Sequence, residues 1–216
     1  MLGLEFSKAT DSPYNVLCLG SHCDDIEIGC GGTILKLLDD CPQIQMCWAV
    51  MSSSAEREKE ARHSANLFLA KAKSKSIVVR DFRNGFFPHT GSAIKEFFEQ
   101  LKSELLPDLI LTHYRNDLHQ DHRVISELTW NTFRHHLILE YEIPKFDGDF
   151  GTPNVFVRLD KSIAQKKVAY IIESYKSQAD KHWFDQETFL ALMRLRGMES
   201  CCRYAEAFYG RKLVLD

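Results

Sequence analysis

The first 136 residues of this 216-residue chain contain four short apolar runs. Each run is followed by a stretch whose apolar residues have helical spacing. Apolar runs of this length predict buried strands, and the 3.6-residue spacing predicts helices. The predicted strands span 15–21, 44–52, 76–82 and 108–113, and the predicted helices span 28–40, 55–72, 92–106 and 121–136. Because strand–helix alternation builds right-handed βαβ units, we expect a Rossmann-like three-layer α/β/α fold with a mostly parallel sheet.

The pattern changes after residue 136. Two further strands are predicted over 137–143 and 154–159, and two helices over 161–177 and 185–202. No Pro/Gly/Ser-rich linker divides the chain. We therefore expect one domain over residues 1–216, in which 1–136 is the core with the chemistry and 137–216 extends the sheet and walls a pocket.

Composition excludes several function classes. A net charge of −3 gives no overall basic field for nucleic acid. No apolar run approaches the ~20 residues that span a bilayer, and residues 1–15 do not resemble a signal peptide, so we expect a cytoplasmic protein without an integral membrane segment. Seven cysteines without a C-x-x-C pair indicate reduced thiols, with the Cys201–Cys202 pair either redox-active or packed at a helix. A homo-oligomer is compatible with these numbers.

Two clusters of acids and histidines follow two of the predicted strands. The first is "SHCDD" (21–25) after strand one, and the second is "THYRNDLHQDH" (112–122) after strand four. In a doubly wound sheet ordered 3-2-1-4, strands one and four are neighbours and a crevice opens at their carboxyl ends. The two clusters are therefore expected to meet in one ligand site.

Together the two clusters contain the parts of a hydrolytic metal site. Catalytic zinc takes three N/O ligands and keeps one position open. His22 and Asp25, on one tight turn, can supply two ligands, and a histidine of the second cluster completes the set. Asp24 is placed to take a proton from water, a second histidine can stabilise an oxyanion, and a remaining acid can orient an imidazole. These groups predict metal-assisted hydrolysis.

Each motif also has a simpler interpretation. Asp24 or Asp25 can cap the helix that begins there, and H-x-D-H can cap the helix after strand four. The glycines of "GCGGT" (29–33) suggest a dinucleotide loop, but the spacing is not G-x-G-x-x-G, and close helix–sheet packing explains them better. The position of both clusters after predicted adjacent strands favours the metal site.

The two clusters resemble the signatures of the PIG-L/LmbE-like N-deacetylases, A-H-P-D-D-E…G-G and H-x-D-H. Members are zinc enzymes with a Rossmann-like fold that remove N-acyl groups from amino sugars, and the resemblance covers about the first 135 residues. By position it implies that His22, Asp25 and His122 bind one zinc ion, with Fe²⁺ as an alternative metal. It further implies that Asp24 is the general base and then acid, that protonated His119 stabilises the oxyanion, and that Asp121 orients His119.

The sequence departs from the family pattern around the first motif. Ser21 and Cys23 replace Ala and Pro, and Ile26 replaces Glu, with Glu27 one place on. None of these is a ligand or the base, although Cys23 could intrude as a soft ligand. The family's R-x-x-E corresponds to Arg57 and Glu60, which makes Arg57 a candidate substrate contact or a member of a helical ion pair.

The resemblance implies hydrolysis of an N-acetylamino sugar or its conjugate to acetate and a free amine. The substrate would be a small molecule, such as a polysaccharide fragment, glycolipid or glycoside. The alternatives are a hydrolase of another small-molecule amide or ester, a binding module that kept the fold, and a nucleotide-dependent enzyme. Substrate choice is expected to lie in loops 84–91 and 144–154, and Arg194, Arg196 and Glu206 are either sugar contacts or structural ion pairs.

Overall fold

The computed structural model describes Gly3 and residues 13–41 and 43–214, and within them seven strands form one sheet. The strands are β1 (Tyr14–Gly20), β2 (Ile44–Val50), β3 (Ser74–Val79), β4 (Leu109–His113), β5 (Leu137–Tyr141), β6 (Val155–Leu159) and β7 (Tyr204–Gly210). The helices are α1 (Asp25–Asp40), α2 (Ala55–Phe68), α3 (Phe87–Glu104), α4 (Gln120–Thr132), α5 (Lys161–Ser174) and α6 (Gln186–Glu199), with a 3₁₀ turn at Lys176–Gln178. Most of segment 1–15, on which the signal-peptide prediction depends, lies outside the described residues.

The strand order is β3-β2-β1-β4-β5-β7-β6. The first five strands in this order pair in parallel, whereas β7 runs antiparallel to both β5 and β6. The predicted order 3-2-1-4 and the predicted mostly parallel α/β sheet are confirmed. The carboxyl ends of β1 and β4 lie side by side, and this is the topological switch point at which ligands bind in such sheets.

Helices cover both faces of the sheet over two apolar clusters. Side chains of one strand alternate between the faces, so that Cys18 of β1 joins one cluster while Leu17 and Leu19 join the other. The first face is covered by α1, α2, α5 and α6, and the second by α3 and α4. Among the helices of the described residues, none is long and apolar enough to cross a membrane.

Helix α1 lies very close to its neighbours because glycines occupy its contact face. A Cβ at Gly29 would lie 2.2 Å from the Tyr141 ring, and one at Gly32 would lie 2.5 Å from Leu159. The close packing proposed for "GCGGT" therefore explains these glycines. The motif also lies inside the helix rather than in a phosphate-binding loop before it.

A buried ion pair contacts the middle of α1. The Glu206 carboxylate accepts hydrogen bonds from the N–H groups of Gly32 (2.8 Å) and Thr33 (2.6 Å), and Lys167 Nζ donates to the Ile28 carbonyl (2.6 Å). Lys167 and Glu206 also bond to each other at 2.6 Å, and both are almost fully buried. Ile28 O and Gly32 N are four residues apart in the helix, and one contacts Lys167 while the other contacts Glu206. The ion pair therefore connects α1 to both α5 and β7.

Three element predictions need correction. Helix α1 begins at Asp25 rather than 28, because the turn after β1 closes within four residues. Helix α3 begins at Phe87 rather than 92, with Pro88 in its first turn, where a missing N–H costs little, and a kink at Thr90. Strand β7 was not predicted, because the buried Glu206 interrupts its apolar run.

Candidate metal centre and active site

Three predicted ligands meet where β1 and β4 end. His22 lies in the turn after β1, Asp25 begins α1, and His122 lies in the first turn of α4. His22 Nδ1 is 3.3 Å from Asp25 Oδ2 and 3.2 Å from His122 Nε2, and the last two atoms are 3.6 Å apart. The three donor atoms therefore form a nearly equilateral triangle.

This triangle matches the requirements of a tetrahedral metal ion. Zinc binds N and O ligands at about 2.0–2.2 Å, which separates tetrahedral ligand atoms by about 3.3–3.6 Å. Two imidazoles and one carboxylate also form a donor set that suits zinc or iron. The residues present fit the metal that the family resemblance implies.

Both histidines of the triangle are held by carboxylates on their outer nitrogens. His122 Nδ1 lies 2.9 Å from Asp117 Oδ2, and His22 Nε2 lies 3.3 Å from Asp121 Oδ2. Such carboxylate–histidine pairs fix the ring orientation of metal ligands. The Asp121 carboxylate also accepts the N–H groups of Gly85 (2.6 Å) and Phe87 (3.1 Å).

The expected pairing of Asp121 with His119 needs correction. The Asp121 side chain bonds to His22, and only its backbone N–H donates to His119 Nδ1, at 3.2 Å. The reason lies in the helix: His119 is the N-cap of α4, so its ring satisfies the N–H two residues on, while the Asp121 side chain turns toward the β1 loop. The capping interpretation of H-x-D-H is therefore correct for His119.

The histidine rings sit in opposite electrostatic environments. Burial lowers the pKa of His22, but Asp25 and Asp121 outweigh it and raise the value to about 10. Burial and the neighbouring His113 lower the pKa of His122 to about 4. The carboxylates around His22 therefore favour positive charge at the centre of the triangle, and a metal ion bound there would supply that charge in place of the proton on the ring.

The adjacent carboxylates also differ. Burial opposes ionisation of Asp25, but His122, His113 and His22 hold the pKa of Asp25 well below its usual range. Burial raises the pKa of Asp24, and repulsion from Asp25 adds to this, although Arg57 acts against it. Neighbouring carboxyls whose environments separate their pKa values in this way are typical of an acid/base site.

Asp24 occupies the N-cap position of α1, but its side chain makes no capping bond. Instead, Asp24 Oδ2 lies 3.1 Å from Arg57 Nη2. Asp25 Oδ2 accepts the N–H of His22, in the turn before the helix, at 2.6 Å. The Asp24 carboxylate is thus free of a structural role in the helix.

His119 stands beside the triangle, with its ring centroid 5.0 Å from that of His22. Burial and the charge of His22 lower the pKa of His119 below its usual value. Because Nδ1 accepts the Asp121 N–H, the proton of the neutral ring lies on Nε2. The structure therefore favours a neutral His119 that donates through Nε2, in contrast to the protonated ring expected from the resemblance.

Other groups of three donors overlap the triangle. His22, His119 and His122 form one, and Asp25, His113 and His122 form another. His113 is fully buried and does not line the cavity, whereas His22, Asp25 and His122 all do.

A cavity of about 440 Å³ opens over the triangle, which is within the usual size range for ligand sites. His22, Asp24, Asp25, Arg57, His119 and His122 line it, so all the predicted site residues except the buried Asp121 face one space. Arg57 points into the cavity and is at the same time ion-paired with Asp24 (3.1 Å) and Glu60 (3.7 Å).

The outer wall combines expected and unexpected segments. Asn84, Pro144, Lys145 and Phe146 come from the two loops predicted to set substrate choice. Gln178, His182 and Trp183 come from the connection between α5 and α6, and Thr188 comes from the first turn of α6; sequence reasoning missed this wall. The aromatic and polar stretch "KHWFD" (181–185) is the signal that could have indicated it.

Two further functional candidates were missed because they act behind the ligands. Asp117 orients His122, and His122 with the nearby Lys145 lowers the pKa of Asp117 to about 2 against the effect of burial. His113 Nε2 lies 3.1 Å from Asp25 Oδ2. Asp117 lies in the quoted "THYRNDLHQDH", so its presence there was the available signal.

Several other sequence candidates prove to be structural. Arg196 pairs with the buried Glu142 through two bonds of 2.6 and 2.8 Å, and Glu206 pairs with Lys167. Burial raises the pKa of Cys23 to about 12, and its thiol donates to the Ser52 carbonyl at 3.4 Å. Cys23 is therefore a packed thiol and not a soft ligand.

Comparison with solved structures confirms the fold. The N,N'-diacetylchitobiose deacetylase from Pyrococcus horikoshii matches with a TM-score of 0.73 and 22% identity, over 91% of this chain and 83% of that one. The zinc-inhibited form of teicoplanin deacetylase Orf2 matches with a TM-score of 0.67 and 11% identity, over 91% and 97%. GalB, the 4-carboxy-2-hydroxymuconate hydratase from Pseudomonas putida KT2440, matches with a TM-score of 0.72 and 16% identity, over 94% and 98%.

The sequence match identifies the family directly. The profile of the PIG-L family, described as GlcNAc-PI de-N-acetylase, matches residues 17–133, which is more than half of the chain. The matched segment contains the whole metal triangle together with Asp24 and His119. This protein belongs to the PIG-L family.

Proposed function

We propose that this protein is a metal-dependent N-deacetylase, with zinc as the metal, that converts an N-acetylamino sugar or its conjugate into acetate and a free amine. One observation carries the proposal: a His₂-Asp triangle of zinc dimensions faces an open cavity beside a second carboxylate that makes no capping bond. Membership of a family described as a de-N-acetylase supports the reaction class.

His22, Asp25 and His122 would hold the metal, with Asp117 and Asp121 orienting the two imidazoles. When bound there, the metal supplies Lewis-acid polarisation of the amide carbonyl and activation of the attacking water. Iron(II) suits the same donor set and remains the alternative.

Asp24 acts as the proton carrier in this proposal. Its carboxylate takes a proton from the attacking water as oxygen bonds to the amide carbon. The same proton then passes to the nitrogen as the C–N bond breaks, which leaves acetic acid and a neutral amine. The acid then loses its remaining proton to solvent and leaves as acetate. A pKa raised by burial suits a group that must both accept and release a proton.

His119 acts as the hydrogen-bond donor to the developing oxyanion. Its Nε2–H is fixed by the backbone N–H that occupies Nδ1. A preorganised donor of this kind is worth roughly 10²–10³-fold in rate. A neutral donor would also avoid placing a second positive charge beside the metal ion.

The cavity wall supports a sugar as the substrate. Arg57, Asn84, Lys145 and Gln178 offer hydrogen-bonding groups to hydroxyls, and Trp183 and Phe146 offer flat faces. The deacetylase from Pyrococcus horikoshii acts, by its name, on an N-acetylated disaccharide. Arg57 is proposed as a substrate contact that exchanges part of its pairing with Asp24 for the sugar.

The fold also occurs in a hydratase, so the fold alone does not decide the reaction. A non-catalytic binding module would need the metal ligands but not Asp24. The position of the Asp24 carboxyl next to the triangle, without a capping bond and with a pKa raised by burial, therefore favours catalysis over binding alone.

The test is release of primary amine from a panel of N-acetylglucosamine derivatives: the free sugar, a short oligosaccharide, and nucleotide-, inositol- and malate-linked forms. Each is assayed with zinc-loaded protein and after chelation. Zinc-dependent amine release from any member supports the proposal. No release from any member by protein that contains stoichiometric zinc would contradict the sugar assignment, and hydration of an unsaturated acid by the same sample would contradict hydrolysis altogether.

A further inference from the structure

A second cavity, of about 390 Å³, lies beside the C-terminal half of α4, away from the metal triangle. We call it the α4 pocket. The α4 pocket is lined by Arg115, Glu127, Trp130, Asn131, Arg134, Arg211 and Lys212. None of these residues takes part in the proposed deacetylation.

A buried carboxylate builds the floor of this pocket. Glu140 of β5 is completely buried and accepts hydrogen bonds from the Arg115 N–H at 2.9 Å and from Trp130 Nε1 at 2.5 Å. Arg211 also donates to Glu140 and stacks over the Trp130 ring, 4.1 Å from its centroid. Trp130, Arg211 and the backbone at Arg115 are therefore held in place before any ligand arrives.

The pocket carries a surplus of positive charge. Glu140, buried beneath the lining, is already paired with Arg211, and among the lining residues of the described chain Glu127 is the one carboxylate. Arg115, Arg134 and Lys212 have no carboxylate within 4 Å among the described residues, although Lys212 lies 5.8 Å from the Trp130 ring centroid. Burial lowers the pKa of Arg211, and the nearby Arg115 guanidinium adds to this against the effect of Glu140.

We infer that the α4 pocket binds the phosphate group of a small molecule. Guanidinium groups match phosphate oxygens with paired N–H donors, and three of them converge here with one ammonium. The chain as a whole is acidic, so this concentration of positive charge is local and not a general property of the surface. The volume of the pocket admits a phosphate with an attached ring.

This inference does not depend on the proposed deacetylation, because it uses no residue of that site. It shares only the segment 114–119, in which Arg115 lies four residues before His119. The same phosphate chemistry could come from inorganic phosphate, a sugar phosphate or a nucleotide, and the probes below distinguish them.

The test uses the tryptophan that lies in the pocket. Trp48 is fully buried and Trp183 lines the metal cavity, so a Trp183→Phe background leaves Trp130 as the reporter that is open to solvent. Inorganic phosphate, glucose 6-phosphate and ADP are titrated into the full chain at constant ionic strength, with fluorescence and calorimetry as readouts. We expect saturable binding that weakens as salt increases.

Arg115→Gln and Arg134→Gln, both at exposed positions, are each expected to weaken binding at least fivefold. Arg62→Gln, an exposed arginine on α2 on the opposite face of the sheet, is the matched control and should bind as the parent does. Equal affinities of the three probes would assign inorganic phosphate, and tighter binding of either organic phosphate would assign that class.

Two outcomes would overturn the inference. One is the absence of saturable binding for every probe in the folded parent. The other is unchanged affinity in the Arg115→Gln/Arg134→Gln double variant, which would place the anion elsewhere. A change in oligomeric state of the double variant without probe binding would assign the α4 pocket to contact between copies of the chain and would also overturn it.

Discussion

Asp24 and Asp25 are neighbours in sequence but have opposite roles. We expect Asp24→Asn to lower turnover by about 10²–10⁴-fold, the usual contribution of a general acid/base, while metal content stays at one ion per chain. Asn keeps the size of the side chain and removes only its basicity. Amine release and metal analysis measure the two effects, with the exposed Asp39→Asn as control; full turnover in Asp24→Asn would remove the base assignment.

Glu27, in the first turn of α1, should make the free energy of unfolding depend on pH. Burial raises the pKa of Glu27 to about 8, and its carboxyl lies 2.5 Å from Tyr175 Oη. Because the folded value exceeds the unfolded value of about 4.5, the folded state binds the extra proton. The stability associated with that proton is complete below about pH 4.5 and is lost as the pH rises through 8.

Glu27→Gln should therefore abolish this loss. In metal-free protein, the variant should match the parent near pH 4.5 and exceed it in urea unfolding at pH 8.5. The exposed Glu96→Gln should follow the parent at both pH values. Identical pH profiles of parent and Glu27→Gln would show that Glu27 is ionised in the folded state.

Residue types at the ligand positions were predictable from sequence because each motif places them at the end of a strand. The supporting roles of Asp117 and His113 were not predictable. A residue that supports a metal ligand needs only to lie near it in the folded chain, and no fixed spacing in the sequence marks it. The same reason explains why Asp121 contacts His22 and not the nearby His119. Sequence spacing indicates which residues reach the site but not which pairs form within it.

The long elements were predicted well because their apolar periodicity reflects burial directly. The prediction failed for β7, whose central Glu206 is buried in an ion pair with Lys167. The sequence does not indicate that this glutamate is buried, because its partners lie about forty residues away on α5 and far upstream on α1. The helical stretch 87–91 was missed because Pro88 is usually a breaker and here lies in the first turn.

Helix α1 should be sensitive to loss of its bound ion pair. Lys167→Met leaves the Glu206 charge and the Ile28 carbonyl without their buried partner, so we expect a loss of about 3–5 kcal/mol in the free energy of unfolding. Urea unfolding measures it, and Lys166→Met, exposed on the same helix, is the control. In Lys167→Met/Glu206→Gln the unpaired buried charge is gone, so part of the loss should return. A loss below 1 kcal/mol in Lys167→Met would contradict this account.

The C-terminus of α6 carries a conformational cost that one substitution can remove. Cys201 has φ +57°, and the N–H of Cys202 bonds to the Gly197 carbonyl at 2.8 Å, as in a Schellman motif that normally has glycine at this place. Cys201→Gly should raise the free energy of unfolding by up to about 1 kcal/mol, because glycine adopts this conformation without strain. Thermal unfolding measures the change, with Cys201→Ser as control; a Cys201→Gly variant no more stable than Cys201→Ser would contradict the argument.

At the scale of the whole molecule, the metal site joins chain segments that are about a hundred residues apart. His22 and Asp25 follow β1, and His122 lies on α4. A ligand that binds only the folded state stabilises it, by about 4 kcal/mol at a thousandfold excess over Kd. We therefore expect chelation to lower Tm and added zinc to restore it.

His122→Ala should remove the response of Tm to zinc, since it deletes one corner of the triangle. His63→Ala, an exposed histidine on α2, should retain the response. A full zinc shift in His122→Ala would show that another group, such as His113 or His119, completes the donor set.

Two stretches of the chain form the cavity over the metal triangle, and they have different roles. Every proposed ligand and proton carrier precedes residue 123, while Pro144, Lys145, Phe146, Gln178 and Trp183 form much of the opposite wall. The family profile ends at residue 133, before that wall begins. Mutations can therefore accumulate in the wall and change which molecule is admitted while the reaction itself stays the same. New specificities in this lineage would then arise by altering the later stretch alone, and exchanging it between relatives is a direct way to transfer substrate preference.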